Sequence, residues 1–178
     1  MPVDDQVDRN FPLPSPFSRV RPAHALERST AKANVWFFHS PKNNKRLSII
    51  GDLPYFQAVL LEGDVDVIGY DIHPEPIHVR FNGEDSTFSP AMHVFRENKK
   101  PLWIDFMFAS GSGRPRKEAQ LQRTAEYAAS KEISYKIVTE VEAQKRQVFF
   151  DNWMMFCAAI VRCNGLDYQQ VLKSVHEC

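Results

Sequence analysis

The rhythm of apolar and polar positions changes several times along this chain. From Asn34 a strand-like run, Val35-Trp36-Phe37-Phe38-His39, meets a polar turn at Pro41–Lys45 and returns as Arg46-Leu47-Ser48-Ile49-Ile50, the pattern of a hairpin. Leu53, Phe56, Leu60 and Leu61 then recur at helical spacing, with Asp52 placed to cap the helix, Pro54 in its first turn and Gly63 at its end. Residues 65–72 read as a strand, and His73-Pro74-Glu75-Pro76 as a bend. Ile77–Phe81 alternates as a further strand, with Asn82-Gly83 as a tight hairpin signal. One strand is expected over residues 86–95 and another over 101–109, joined by the polar tip Arg96–Lys100. The pattern then predicts a helix over 118–131, a strand over 133–139, a long helix over 149–163 with a broad apolar stripe, and a short last helix over 168–177. This order gives an α/β (α+β) architecture, with a mixed central sheet flanked by helices.

Residues 1–33 carry no such period. Pro12, Pro14, Pro16 and Pro22 interrupt it, and Arg19, Arg21 and Arg28 make the second half basic. The stretch reads as an arm that is disordered, bound to a partner or extended along its own domain. Residues 34–140 read as the core, and 141–178 as a helical extension packed on it. At 178 residues with 43% hydrophobic content and 13 Phe, one sizeable core is expected.

The 22 basic and 22 acidic residues cancel, so any nucleic-acid surface must be a local patch. Lys99, Lys100, Arg114, Arg116, Lys117 and Arg123 are the candidates; the group at 114–117 lies in a basic loop before a helix, whose N-terminus favours anions. The alternative is a solvated charged face. Cys157, Cys163 and Cys178 are odd in number, cluster in the last 22 residues and lack Cys-x-x-Cys spacing, which fits a reducing, cytoplasmic compartment. No apolar run is long enough to span a membrane, and the N-terminus lacks an apolar signal core. His73 and His78 read as surface residues. Gly111-Ser112-Gly113 lacks the Lys-Ser/Thr end of a phosphate loop and reads as a flexible connection.

Several short motifs carry a resemblance. Leu47–Tyr55 runs a hairpin into the start of a helix. Val67-Ile68-Gly69-Tyr70-Asp71-Ile72-His73-Pro74-Glu75-Pro76 follows, then Pro90-Ala91, Ile104-Asp105-Phe106-Met107 and the strand Ser134–Val138. In order and spacing, roughly residues 35–140 resemble the N-terminal region of TnsA-type transposon endonucleases, which have the restriction-endonuclease-like fold and a Pro-Asp … Glu-x-Lys site. The resemblance implies a magnesium site whose ligands are a helix glutamate, the aspartate and the second glutamate, with the lysine helping to activate water. Carried over residue by residue, the glutamate becomes Pro54, the aspartate Ala91, the second glutamate Asp105 and the lysine Met107. One short carboxylate beside Ala and Met is a poor Mg²⁺ site, and a thioether cannot orient water.

The resemblance therefore implies a pseudo-nuclease: no cofactor, and a DNA-binding or assembly role beside a transposase or nuclease partner. The aromatic helix near the C-terminus and the basic arm are its candidate partner surfaces. An alternative is an active endonuclease with a rearranged Mg²⁺ or Mn²⁺ site. His93 shares strand parity with Ala91, and His93, Asp105 and Glu62 or Asp64 would supply its ligands, imidazole favouring a transition metal. The other reading of His93 is a hydrogen-bonded strand residue. A third class is a protein-only interaction or regulatory module.

Overall fold

The computed structural model describes residues 34–108, 114–163 and 167–177. The arm at 1–33, the glycine-rich loop at 111–113, the Asn164-Gly165 helix end and Cys178 lie outside the described residues. From Asn34 onward, β1 (Val35–Ser40) and β2 (Lys45–Ile50) form the expected hairpin and lead into helix α1 (Asp52–Glu62). Strand β3 (Val67–Ile72) precedes a second hairpin, β4 (Ile77–Phe81) and β5 (Glu84–Phe88). Then come β6 (Met92–Arg96), β7 (Leu102–Met107), helix α2 (Arg114–Ser130), β8 (Ser134–Thr139) and helices α3 (Glu140–Gln144), α4 (Gln147–Arg162) and α5 (Tyr168–His176).

The central sheet has the order β3-β6-β7-β8. β6 is antiparallel to both β3 and β7, whereas β8 returns through α2 to lie parallel to β7. Such a parallel return needs a crossover, which α2 supplies. The mixed sheet with flanking helices is the expected fold class.

Two cores lie on the two faces of this sheet. Along β7, Ile104 and Phe106 point into the larger core, with Met92 and Val94 of β6, Val138 of β8 and Tyr70 of β3. α1, α4 and α5 close that side through Leu53, Phe56, Trp153, Cys157 and Leu172, so the C-terminal extension is part of the core. Trp103 points the other way and meets Phe88, Tyr127 and Ala128 in a smaller core under α2 and the β4–β5 hairpin. The alternation of a strand thus divides β7 between two environments.

Several expected boundaries change. Residues 86–95 are two strands, because Pro90 cannot donate to a ladder and the chain bends at Ala91 before β6 begins. The β4–β5 turn is the two-residue kind: Asn82 and Gly83 both have positive φ, at 53° and 85°. Asp52 is not the cap of α1. Gly51 holds that position at φ 95°, and Asp52 instead accepts hydrogen bonds from Asn34 Nδ2 at 2.9 Å and Trp36 Nε1 at 2.8 Å. α2 starts at Arg114 rather than 118, so Pro115, Arg116 and Lys117 form its first turn and not a loop. The short α3 adds a helix that the apolar period does not predict, opened by a capping box of Thr139 and Glu142.

Candidate functional site

Asp105 lies near the middle of β7 on the face it shares with Trp103, and the residue is 4% exposed. Both carboxylate oxygens have protein donors. The backbone N–H of Ala91 donates to Oδ1 at 3.1 Å, and the Tyr135 hydroxyl donates to Oδ2 at 2.8 Å. Tyr135 reaches it because β8 pairs in parallel with β7 and sets Tyr135 opposite Trp103, on Asp105's face. Burial pushes the Asp105 carboxyl above the usual carboxylate range; the Tyr135 hydroxyl, the Lys117 ammonium and the Ala91 N–H hold it partly back. Burial and the neighbouring Asp105 push the Tyr135 phenol up in turn.

An aromatic column stands beside this carboxylate. His93 stacks on Trp103 with centroids 5.1 Å apart and planes within 2°. Trp103 overlies Tyr127 at 6.0 Å, and Tyr127 stacks on Phe88 at 4.3 Å. His93 Nε2 is buried and has no hydrogen-bond partner among the described residues, and stacking on Trp103 holds the ring. Burial lowers its affinity for a proton, against the opposing pull of Asp71.

The four positions to which the resemblance carries a nuclease site divide as follows. Ala91 meets Asp105 through its backbone, and Met107 follows Asp105 on the same face of β7. The Ala91 methyl packs against the larger core, so it does not share His93's face; it sits in the bend before the ladder, where strand parity does not apply. Pro54 is buried in the first turn of α1, the helix that covers the opposite face of the sheet. The residues do not fit a magnesium ion: Asp105 is the one carboxylate of the four, and Ala91, Met107 and Pro54 offer no side-chain oxygen.

The rearranged metal set does not assemble either. Glu62 is fully buried on the α1 side, where its carboxylate accepts from Ser40 Oγ, from Tyr70 Oη at 2.7 Å and from the Lys42 backbone N–H at 2.9 Å. Burial raises its carboxyl above the usual range against these donors. The Lys42 ammonium caps the end of α1, donating to the Leu61 carbonyl at 2.8 Å and the Asp64 carbonyl at 2.6 Å, and burial brings it down to about 8. The Tyr168 hydroxyl donates to the Glu62 carbonyl. Glu62 is thus a strut joining the β1–β2 turn, β3 and α5 to the end of α1. Asp64 turns its carboxylate to the Asp66 N–H at 3.0 Å. Among the described residues, no three His, Cys, Asp or Glu side chains come together to hold a metal ion. Cys157 and Cys163 are free thiols; Cys157 is buried, and burial together with Glu62 pushes its thiol up. His78 is exposed and bonds Thr87 across the hairpin, whereas His73 is half-buried.

Among the described residues, the basic candidates do not form one patch. Lys99 pairs with Asp66, Lys100 with Glu132 at 3.5 Å, and Arg123 with Glu84 at 3.0 Å. Lys99 and Lys100 stand before the start of β7 and the first turn of α2 comes after its end, six strand residues away. That is about 20 Å of strand. Arg116 is exposed on the first turn of α2; Lys117, half-buried there, acts on Asp105. The side chain of Arg114 is outside the described residues. No helix among the described residues is long and apolar enough to cross a membrane. Neither the models of known protein families nor the curated proteins give a match to this chain.

Proposed function

We propose that this chain is a non-catalytic subunit of restriction-endonuclease type that works in the cytoplasm, binding DNA through the basic first turn of α2 beside a transposase or nuclease partner. The observation that carries the reading is the setting of Asp105: a buried carboxylate tied to a backbone N–H and a phenol, with Ala91, Met107 and Pro54 where the resemblance places its fellow ligands and the lysine. The element order α1-β3-β6-β7-α2-β8, with the β4–β5 hairpin inserted, supports the resemblance. Its two hydrogen bonds make Asp105 a strut between β7, β8 and the β5–β6 bend, and the Met107 thioether next along the same face cannot activate water.

Contact with DNA then rests on Arg116 and Lys117 in the first turn of α2. Two or three phosphate contacts give a log–log salt slope of about −2 to −3. The test is fluorescence anisotropy with a labelled duplex across a salt series, paired with supercoiled plasmid incubated in Mg²⁺ or Mn²⁺. Binding with that slope, weakened by Arg116→Glu, and an intact plasmid are expected. Nicking that Asp105→Asn abolishes would overturn the non-catalytic reading. A second reading, a protein-only module, is favoured by the neutralisation of Lys99, Lys100 and Arg123 by their acidic partners. It predicts no duplex binding at any salt concentration.

A further inference from the structure

Helix α4 separates two kinds of side chain. Phe149, Trp153, Phe156 and Cys157 turn inward, and Phe150 stacks on Phe56 of α1 at 4.5 Å. The aromatic side expected to meet a partner is therefore spent on the core. The outward side presents Asp151, Met155, Ala158 and Arg162, all exposed, with Met155 at 63%. Their spacing of four, three and four residues is that of a heptad seam, the pattern by which one helix packs along another. Met154 and Val161, 39% and 37% exposed, widen the apolar strip on one flank. At 1.5 Å per residue the seam runs about 16 Å.

This seam is complementary to itself. Take a twofold axis perpendicular to α4, passing between Phe156 and Cys157. An antiparallel copy then sets Met155 against Ala158 and Asp151 against Arg162, and each pairing occurs twice. A long side chain meets a small one, and an acid meets a base. Parallel packing would instead set Asp151 against Asp151 and Arg162 against Arg162. The hydrogen bond that Asp151 accepts on its own helix comes from Gln147, a neutral group, at 2.9 Å. A face that matches its own image under a twofold rotation is what an isologous dimer requires.

We propose that the outward face of α4 is the contact surface of a symmetric homodimer, in which two copies pack α4 against α4 in antiparallel sense. The occupant is a second copy of this chain, because size and charge both invert about the centre of the same helix. A seam of this length covers less than the roughly 800 Å² per partner of a standard interface. The dimer is accordingly weak and concentration-dependent, and its two ion pairs set orientation and register more than affinity.

Sedimentation velocity on the full chain over a wide concentration range tests this. The wild type is expected to shift from monomer to dimer as concentration rises. Asp151→Arg alone and Arg162→Asp alone each set like charges face to face and weaken association by at least about tenfold. Mixing the two variants in equal amounts restores a dimer, since opposite charges meet again at both ends. Met155→Glu, a second disruption at an exposed site, also gives a monomer. Circular dichroism should show unchanged helix content throughout. A wild type that stays monomeric at every concentration, single variants that dimerise like the wild type, or a mixture that stays monomeric would each overturn the proposal.

Discussion

Replacing Asp105 by Asn tests the account of the buried carboxylate. The residue is 4% exposed, so its charge is little screened by water. Asn keeps the shape: its carbonyl oxygen accepts from the Ala91 N–H, and its amide donates to the Tyr135 oxygen. Charged hydrogen bonds contribute about 1.5–3 kcal/mol each and neutral ones about 0.5–1.5, so the exchange loses roughly 2–3 kcal/mol over the two contacts. Against this stands the removal of a buried ion, whose effective penalty is several kcal/mol. The raised carboxyl gives the sign of the balance: the folded state favours the neutral form, by about 1.4 kcal/mol for each unit of the rise.

The variant should therefore be more stable than the wild type at pH 7–8 by about 1 kcal/mol, or about 2–4 °C in Tm for a chain of this size. The pH dependence has a definite sense. A carboxyl raised in the folded state contributes stability that is fully present below its ordinary value of about 4 and is lost as pH rises through the folded value. Wild type should gain on the variant as pH falls through that window. Urea unfolding followed by tryptophan fluorescence at several pH values from 4 to 8 reads this directly, and Glu62, raised in the same sense, cancels in the difference. A variant less stable than wild type by more than about 1 kcal/mol at pH 7, with the same dependence on pH, would refute the reasoning.

Two further outcomes follow from the packing. His93→Phe keeps the stack on Trp103 and removes a buried nitrogen that has no partner among the described residues. Because burial depresses the folded His93 value, its contribution to stability is present above the ordinary histidine value of about 6.5 and is lost as pH falls below it; the variant should show less acid sensitivity below that pH in the same urea series. Gly63→Ala would place a methyl 2.6 Å from Trp153 Cδ1, deep in the larger core. It should destabilise by about 1–3 kcal/mol in thermal unfolding, and an unchanged Tm would show that Trp153 moves freely.

Much of the fold was legible because its signals are local. Asn82-Gly83 specifies its turn by backbone chemistry, and the stripe from Phe149 to Cys157 specifies a buried helix face by period. The break at Pro90 was readable in principle, but the alternation continued across it and suggested one strand. Thr139 and Glu142 carried a capping signal that went unused. The site was less legible, because its partners are distant in sequence. The identity of Asp105 is visible, but its donors Ala91 and Tyr135 lie 14 and 30 residues away and depend on the β6–β7 and β7–β8 registers. Likewise Lys99 and Arg123 read as free cations until folding brings Asp66 and Glu84, 33 and 39 residues away, beside them. The outward face of α4 was overshadowed by its aromatic face, which draws attention by composition yet is consumed by the core.

The most direct measurement is a Mn²⁺ titration of the full chain with duplex DNA present, reading Tm for wild type and for Asp105→Asn. A cation held by the folded state raises Tm as its concentration exceeds its Kd. With Asp105 buried and no cluster of three possible ligands among the described residues, the two proteins should respond to Mn²⁺ alike, with no saturable rise in either. A saturable rise in the wild type that Asp105→Asn loses would contradict the account.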